Sequence, residues 1–137
     1  DSANVIECTY PDGLDCEVLN FDVLKDAWIN ANLSSQREHV TLYIRDNHNK
    51  FKLGNVKNDK DLSGLRWTLD EKEDFIFIRE VYKYLFVKDS FFTMDDVVQL
   101  LNEKPELLDI NSKFTRNEGL IKSLNEDVDL GSRNVDE

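Results

Sequence analysis

The sequence has few of the features that would assign a function directly. It contains 2 cysteines in 137 residues, Cys8 and Cys16, with no histidine or further cysteine beside them at metal-ligand spacing. We interpret both as reduced thiols, although a disulfide between them stays open. The chain also lacks a Gly-rich phosphate loop, a Ser nucleophile elbow and any CxxC or HExxH pattern. No complete active site can therefore be identified from motifs.

Long hydrophobic runs and basic residues are also scarce. No apolar run approaches the roughly 20 residues that cross a bilayer, and the first residues do not resemble a signal peptide, so we expect a cytoplasmic protein without a membrane partner. The 17 basic against 28 acidic residues give a formal net charge of −11, which argues against nonspecific nucleic-acid binding. A small anionic ligand would need a metal ion or a local basic pocket.

The chain does have the composition of a folded domain. It is 40% hydrophobic and 10% aromatic, and its length suits one domain rather than two. The segment 125–137 is acidic and poor in apolar residues, and we expect it to be a frayed or flexible tail.

The hydrophobic periodicity predicts alternating strands and helices. The predicted strands are 14–21, 51–56 and 65–69, and the predicted helices are 22–31, 36–45, one that opens at 70, 94–102 and 105–108. Ser35 and Glu38 have capping-box spacing before the second helix, although its β-branched stretch also suits a strand. Thr93 is a predicted N-cap.

Asp70 stands at the most informative junction, "RWTLDEKED". An acid between a buried strand and a helix would lie at the carboxyl edge of a sheet, where open α/β folds bind ligands, so Asp70 is a candidate metal ligand. The alternative is an ordinary helix N-cap.

Two further groups of residues are candidates for ligand contacts. Asp15 and Glu17 share one face of an extended chain and could chelate a hard cation, or they could simply face water. Arg37, Glu38 and His39 could contact an anionic sugar or phosphate, although a lone histidine on a mixed helix is more often structural. His48 reads as a loop residue.

Several long segments together resemble a known family. The segments are "TYPDGLDCEV", "REHVTLYIR", "FKLGNV", "DLSGLRWTLDEKEDFIFIREVY" and "NEGLIKSL". In this order they resemble the C-terminal half of the spore coat polysaccharide biosynthesis protein F family, which is similar to the cytidylyltransferases that activate Kdo and sialic acids. The resemblance covers residues 4–124.

The resemblance implies an α/β fold, the C-terminal part of a GT-A-like, Rossmann-like nucleotidyltransferase with a mixed sheet flanked by helices. It implies that a sugar attacks the α-phosphate of CTP or another NTP, with release of pyrophosphate and help from Mg²⁺. Asp70 then matches a late metal-binding aspartate. The sugar side of the pocket would hold the remaining candidates, Asp12, Asp15, Glu17, Arg37, Glu38 and His39.

The sequence also departs from this family. The phosphate-binding loop and the early metal-binding aspartate of family members have no counterpart in it. We therefore expect either a fragment that works with a missing N-terminal half or complementing chain, or a non-catalytic sugar-binding or assembly module, or a remnant that pairs with itself as a homodimer.

Overall fold

The computed structural model describes residues 2–3, 6–116 and 118–133 and is rich in helix. Its helices are α1 (Phe21–Asn30), α2 (Ser34–Glu38), α3 (Leu42–Asp46), α4 (Lys72–Leu85), α5 (Met94–Glu103), a 3₁₀ helix (Pro105–Ile110) and α6 (Glu118–Arg133). Its strands are β1 (Ser2–Ala3), β2 (Cys16–Glu17) and β3 (Asn55–Val56).

The predicted mixed sheet is much reduced in the structure. Each of the three strands has two residues, and they pair in the order β2-β1-β3. The predicted strand 65–69 is represented by one parallel bridge between Asp12 and Arg66. The sequence patterns for strands were too short to separate a paired strand from an extended loop, and the predicted lengths were wrong for this reason.

The chain divides into two compact units. The first unit comprises the described residues of segments 1–2, 17–55 and 117–137, and the second comprises those of segments 3–16 and 56–116. The second unit has an apolar core formed by α4, α5 and the 3₁₀ helix. Its buried members are Phe77, Val81, Leu85, Val97, Leu100, Leu101 and Leu107.

The buried stripe of α4 overlaps only in part with the one that its apolar periodicity predicts, which is Phe75, Ile78, Val81, Tyr82 and Leu85. Val81 and Leu85 are buried as predicted, whereas Phe75 and Tyr82 are about half exposed and Phe77 is buried. The buried face also includes the carboxylate of Asp74, which hydrophobicity alone would not place there.

In the first unit, the predicted helix 36–45 is two short helices. The chain turns between α2 and α3, where the N–H of Leu42 donates to the carbonyl of His39 over 2.7 Å. The alternative interpretation as a strand is also wrong. The predicted cap is wrong because α2 begins at Ser34, so that Ser35 is a buried residue inside the helix.

The acidic C-terminal segment is helical as far as the structure describes it. Residues 125–133 belong to α6, whereas 134–137 lie outside the described residues. Ser123 and Asp127, one turn apart, contact α2, and this packing supports a helix that composition alone did not predict.

Candidate functional site

The site is built around Asp74, an acid in the first turn of α4. Its carboxylate is fully buried, with 0% exposure. Oδ2 accepts the backbone N–H groups of Asp70 and Glu71 over 3.2 and 3.0 Å. Glu71 is the N-cap of α4, so its N–H is one of the free N–H groups of a helix N-terminus, where a negative charge is favourable. The sequence "DEKED" therefore anchors α4 through its last acid.

Arg66 neutralises Asp74 with a two-pronged ion pair. Its Nε donates to Oδ1 over 3.0 Å and its Nη2 donates to Oδ2 over 2.8 Å. The amide of the buried Asn111 donates to the same Oδ1 over 2.8 Å and to the carbonyl of Arg66 over 3.0 Å. Burial alone would raise the pKa of Asp74, but the hydrogen bonds from Arg66, Asn111 and the backbone overcome it and hold the pKa well below its usual range.

A tight turn carries Asp12 to this ion pair. The N–H of Asp12 donates to the carbonyl of Leu65 over 2.8 Å, and the N–H of Trp67 donates to the carbonyl of Asp12 over 2.7 Å. Gly13 has φ +103°, and a Cβ built there would lie 2.7 Å from backbone atoms of Trp67 and Thr68. Only glycine fits this close approach without strain.

Arg116 joins Asp12 to Asp15. Its Nε lies 3.4 Å from Oδ1 of Asp12, and its Nη2 donates to Oδ1 of Asp15 over 2.9 Å. Nη1 of Arg66 lies 3.8 Å from Oδ2 of Asp12. Burial, with repulsion from Asp15 and Asp70, outweighs the attraction of the two arginines and raises the pKa of Asp12.

Asp70 is the exposed carboxylate of the group. Its side chain is 70% exposed, and its Oδ2 lies 3.5 Å from Nη2 of Arg66. The N-cap of α4 is Glu71, so the alternative interpretation of Asp70 as the N-cap is wrong by one residue. We call the set Asp12, Asp15, Arg66, Asp70, Asp74 and Arg116 the carboxylate–arginine cluster.

The cluster is not a complete magnesium site. Guanidinium groups, rather than open space, face the carboxylates of Asp12, Asp15 and Asp74. Across the described residues, no group of three or more His, Cys, Asp or Glu side chains is arranged to hold a metal ion. Of the four carboxylates, Asp70 is the most exposed, so within the described residues the cluster offers one open carboxylate to a cation.

The other predicted residues lie in the first unit and have partners there. Glu17 accepts the hydroxyl of Thr41 over 2.7 Å. Glu38 and His39 both contact the hydroxyl of Ser123. Asp15 and Glu17 therefore have different partners in this structure.

Arg37 borders an apolar groove rather than a polar pocket. Its Nη1 donates to the carbonyl of Trp28 over 2.6 Å. The groove has a volume of about 640 Å³ and is lined by Phe21, Leu24, Lys25, Ala27, Trp28, Ala31, Gln36, Arg37 and Val40.

The arginines of the cluster were not predicted from the sequence. Arg66 stands inside the quoted junction, four residues before Asp70, but nothing in that spacing shows that it pairs with Asp74. Arg116 is 101 residues from its partner Asp15, and no local pattern could link them.

Helices of the described segments are all too short or too polar to span a membrane.

Comparisons with known proteins support the fold. No family model matches the chain. It is similar to an uncharacterized protein, MJ1063, from Methanocaldococcus jannaschii, with 36% identity over 102 residues, which are 73% of this chain and 41% of that protein. The chain resembles the structure of a cytidylyltransferase from Leptospira borgpetersenii, with a TM-score of 0.72 and 24% identity over 83% of this chain and 46% of the other.

The fold of this chain is therefore like that of a cytidylyltransferase. The chain spans less than half the length of each of these two proteins.

Proposed function

We propose that this chain is the acceptor-sugar portion of a sugar nucleotidyltransferase of the cytidylyltransferase kind. The observation that carries the proposal is the carboxylate–arginine cluster, which stands at the junction before α4 within a cytidylyltransferase-like fold. The spore coat polysaccharide resemblance suggests that the product serves surface or spore-coat polysaccharide synthesis in the cytoplasm.

In the reaction we propose, a sugar hydroxyl attacks the α-phosphate of CTP. The new bond joins the sugar oxygen to Pα, the bond from Pα to the bridging oxygen of the β-phosphate breaks, and pyrophosphate leaves. The hydroxyl proton passes to a nearby base or to water. Asp12 and Asp15 would accept hydrogen bonds from sugar hydroxyls, and Arg66 and Arg116 hold these carboxylates in place.

Tight nucleotide binding needs phosphate contacts beyond the partial cation site of the described residues. We propose that a further polypeptide segment, from a complementing chain, provides the phosphate-binding loop. Asp70 would give one carboxylate to Mg²⁺ bound with the nucleotide, because it is the exposed acid of the cluster.

Calorimetry with CTP and Mg²⁺ tests the nucleotide part of the proposal. We expect heat that requires Mg²⁺, that is lost in Asp70→Ala and that is kept in Asp59→Ala, a control that removes another exposed carboxylate. Equal binding by both variants would contradict the role of Asp70.

A non-catalytic sugar-binding module is the second candidate function. The observation in its favour is that Asp12, Asp15 and Asp74 are already paired with arginines, an arrangement that can hold a sugar without any chemistry. Binding of N-acetylneuraminate without any CTP heat would favour this candidate.

A further inference from the structure

Ser123 connects Glu38 and His39, two residues of the first unit that the sequence predicts as ligand contacts. It lies on α6 and is 3% exposed. Its hydroxyl donates to Oε2 of Glu38, and its Oγ lies 3.2 Å from Nε2 of His39 and 3.0 Å from the carbonyl oxygen of Gly119. No sequence pattern predicts a role for this serine.

The single hydroxyl proton of Ser123 determines how these contacts are arranged. An ionised carboxylate only accepts hydrogen bonds, so the close approach of Glu38 and Ser123 requires the hydroxyl proton to lie between them. The contact with Gly119 is the secondary bond that a helical serine makes to the carbonyl four residues earlier. Oγ can then only accept from His39, whose Nε2 must carry a hydrogen.

We propose that Ser123 is a positioning residue that holds the Nε2–H of His39 and orients Glu38. In the form with one ring proton this is the Nε2–H tautomer, whose Nδ1 lone pair is the basic atom offered to a sugar hydroxyl. The role toward the sugar rests on the proposed function, whereas the Nε2–H follows from the contacts of Ser123 alone. Asp127 on α6 accepts the N–H of Ser35 over 3.2 Å, so α6 keeps a second polar contact with α2 when the serine is replaced.

NMR of the chain labelled with ¹⁵N-histidine tests the tautomer. We expect a low-field, slowly exchanging Nε2–H proton from His39, assigned by its loss in His39→Gln. The signal should disappear in Ser123→Ala and return in Ser123→Thr, which restores the hydroxyl. His48, an exposed histidine, gives a second imidazole signal for comparison. An Nδ1–H tautomer, or a signal unchanged in Ser123→Ala, would overturn the proposal.

Two controls keep this result interpretable. Asp127→Asn alters the other α2 to α6 contact and should leave the His39 signal in place. If Ser123→Ala loses helix by circular dichroism, Ser123→Cys preserves the volume with a weak donor, and the His39 proton should then exchange at least several-fold faster. Unchanged exchange in a folded Ser123→Cys variant would count against the proposal.

A titration with N-acetylneuraminate separates this inference from the proposed function. We expect the His39 resonances to shift with the sugar, and the dissociation constant to rise at least five-fold in Ser123→Ala but less in Ser123→Thr. No shift in a protein that shows the Nε2–H signal would refute the sugar site and leave the tautomer assignment supported. Equal affinity of all three proteins would refute the positioning role.

Discussion

At the scale of single residues, Gly13 allows the chain to pass close to the backbone of Trp67 and Thr68. Its φ of +103° and the 2.7 Å approach of a built Cβ to the Trp67 and Thr68 backbone predict that Gly13→Ala costs about 2 kcal/mol of unfolding free energy. Gly64 is the matched control, because a Cβ there meets nothing within 4 Å. Urea unfolding of both variants measures the difference. Equal stabilities would show that the turn at Asp12 is not held as described.

The lowered pKa of Asp74 predicts how the free energy of unfolding depends on pH. Its pKa is lowered in the folded state from a usual value of 3.8, so its contribution is complete above about pH 4 and is lost as the pH falls toward the folded pKa. At pH 7 we expect Asp74→Asn to cost about 3 kcal/mol, because it leaves Arg66 without its buried partner.

Urea unfolding from pH 7 to pH 2 tests this prediction. The difference between wild type and Asp74→Asn should shrink below about pH 4. The exposed Asp59→Asn should follow wild type throughout. A difference that stays constant down to pH 2 would contradict the assigned pKa direction.

At the scale of secondary-structure elements, α5 shows what a sequence can predict well. Thr93 was the predicted cap, and its Oγ1 accepts the N–H of Asp96 while Asp96 accepts the N–H of Thr93 over 2.7 Å. We expect Thr93→Ala to lower the unfolding free energy by about 1 kcal/mol, and Thr93→Ser to lose much less because it keeps the hydroxyl. A loss in Thr93→Ser equal to that in Thr93→Ala would assign the effect to the methyl group.

The strands and the break between α2 and α3 show where the prediction of secondary-structure elements from sequence fails. A cap and a helix period are local, and α1, α4 and α5 were placed within about two residues for this reason. The strands depend on partners distant in the chain, and α2 ends at its C-cap His39, whose side chain contacts Ser123, 84 residues away. In the site, Asp12, Asp15 and Asp70 were identified as candidates, but the arginines that organise them were not, because ion pairs across tens of residues have no sequence signature.

At the scale of the whole molecule, the net charge of −11 determines how the stability of the fold responds to salt. Repulsion among 28 acidic residues is screened by salt at distances beyond the Debye length, which is about 10 Å at 0.1 M. The buried Asp74 and Arg66 pair is screened much less. We therefore expect the urea midpoint to rise when NaCl increases from about 0.02 M to about 0.5 M, because the folded state concentrates the negative charge.

Asp74→Asn supplies the comparison for this prediction. The urea midpoint of this variant should be lower than that of the wild type at every salt concentration. It should rise with salt by the same slope, since Asp74 is buried and its pair with Arg66 is screened little by salt. A fall in the wild-type midpoint with salt would mean that exposed ion pairs such as those of Lys50 with Asp26 and Lys113 with Glu73 outweigh the net repulsion. Stability would then depend on local pairing instead of total charge.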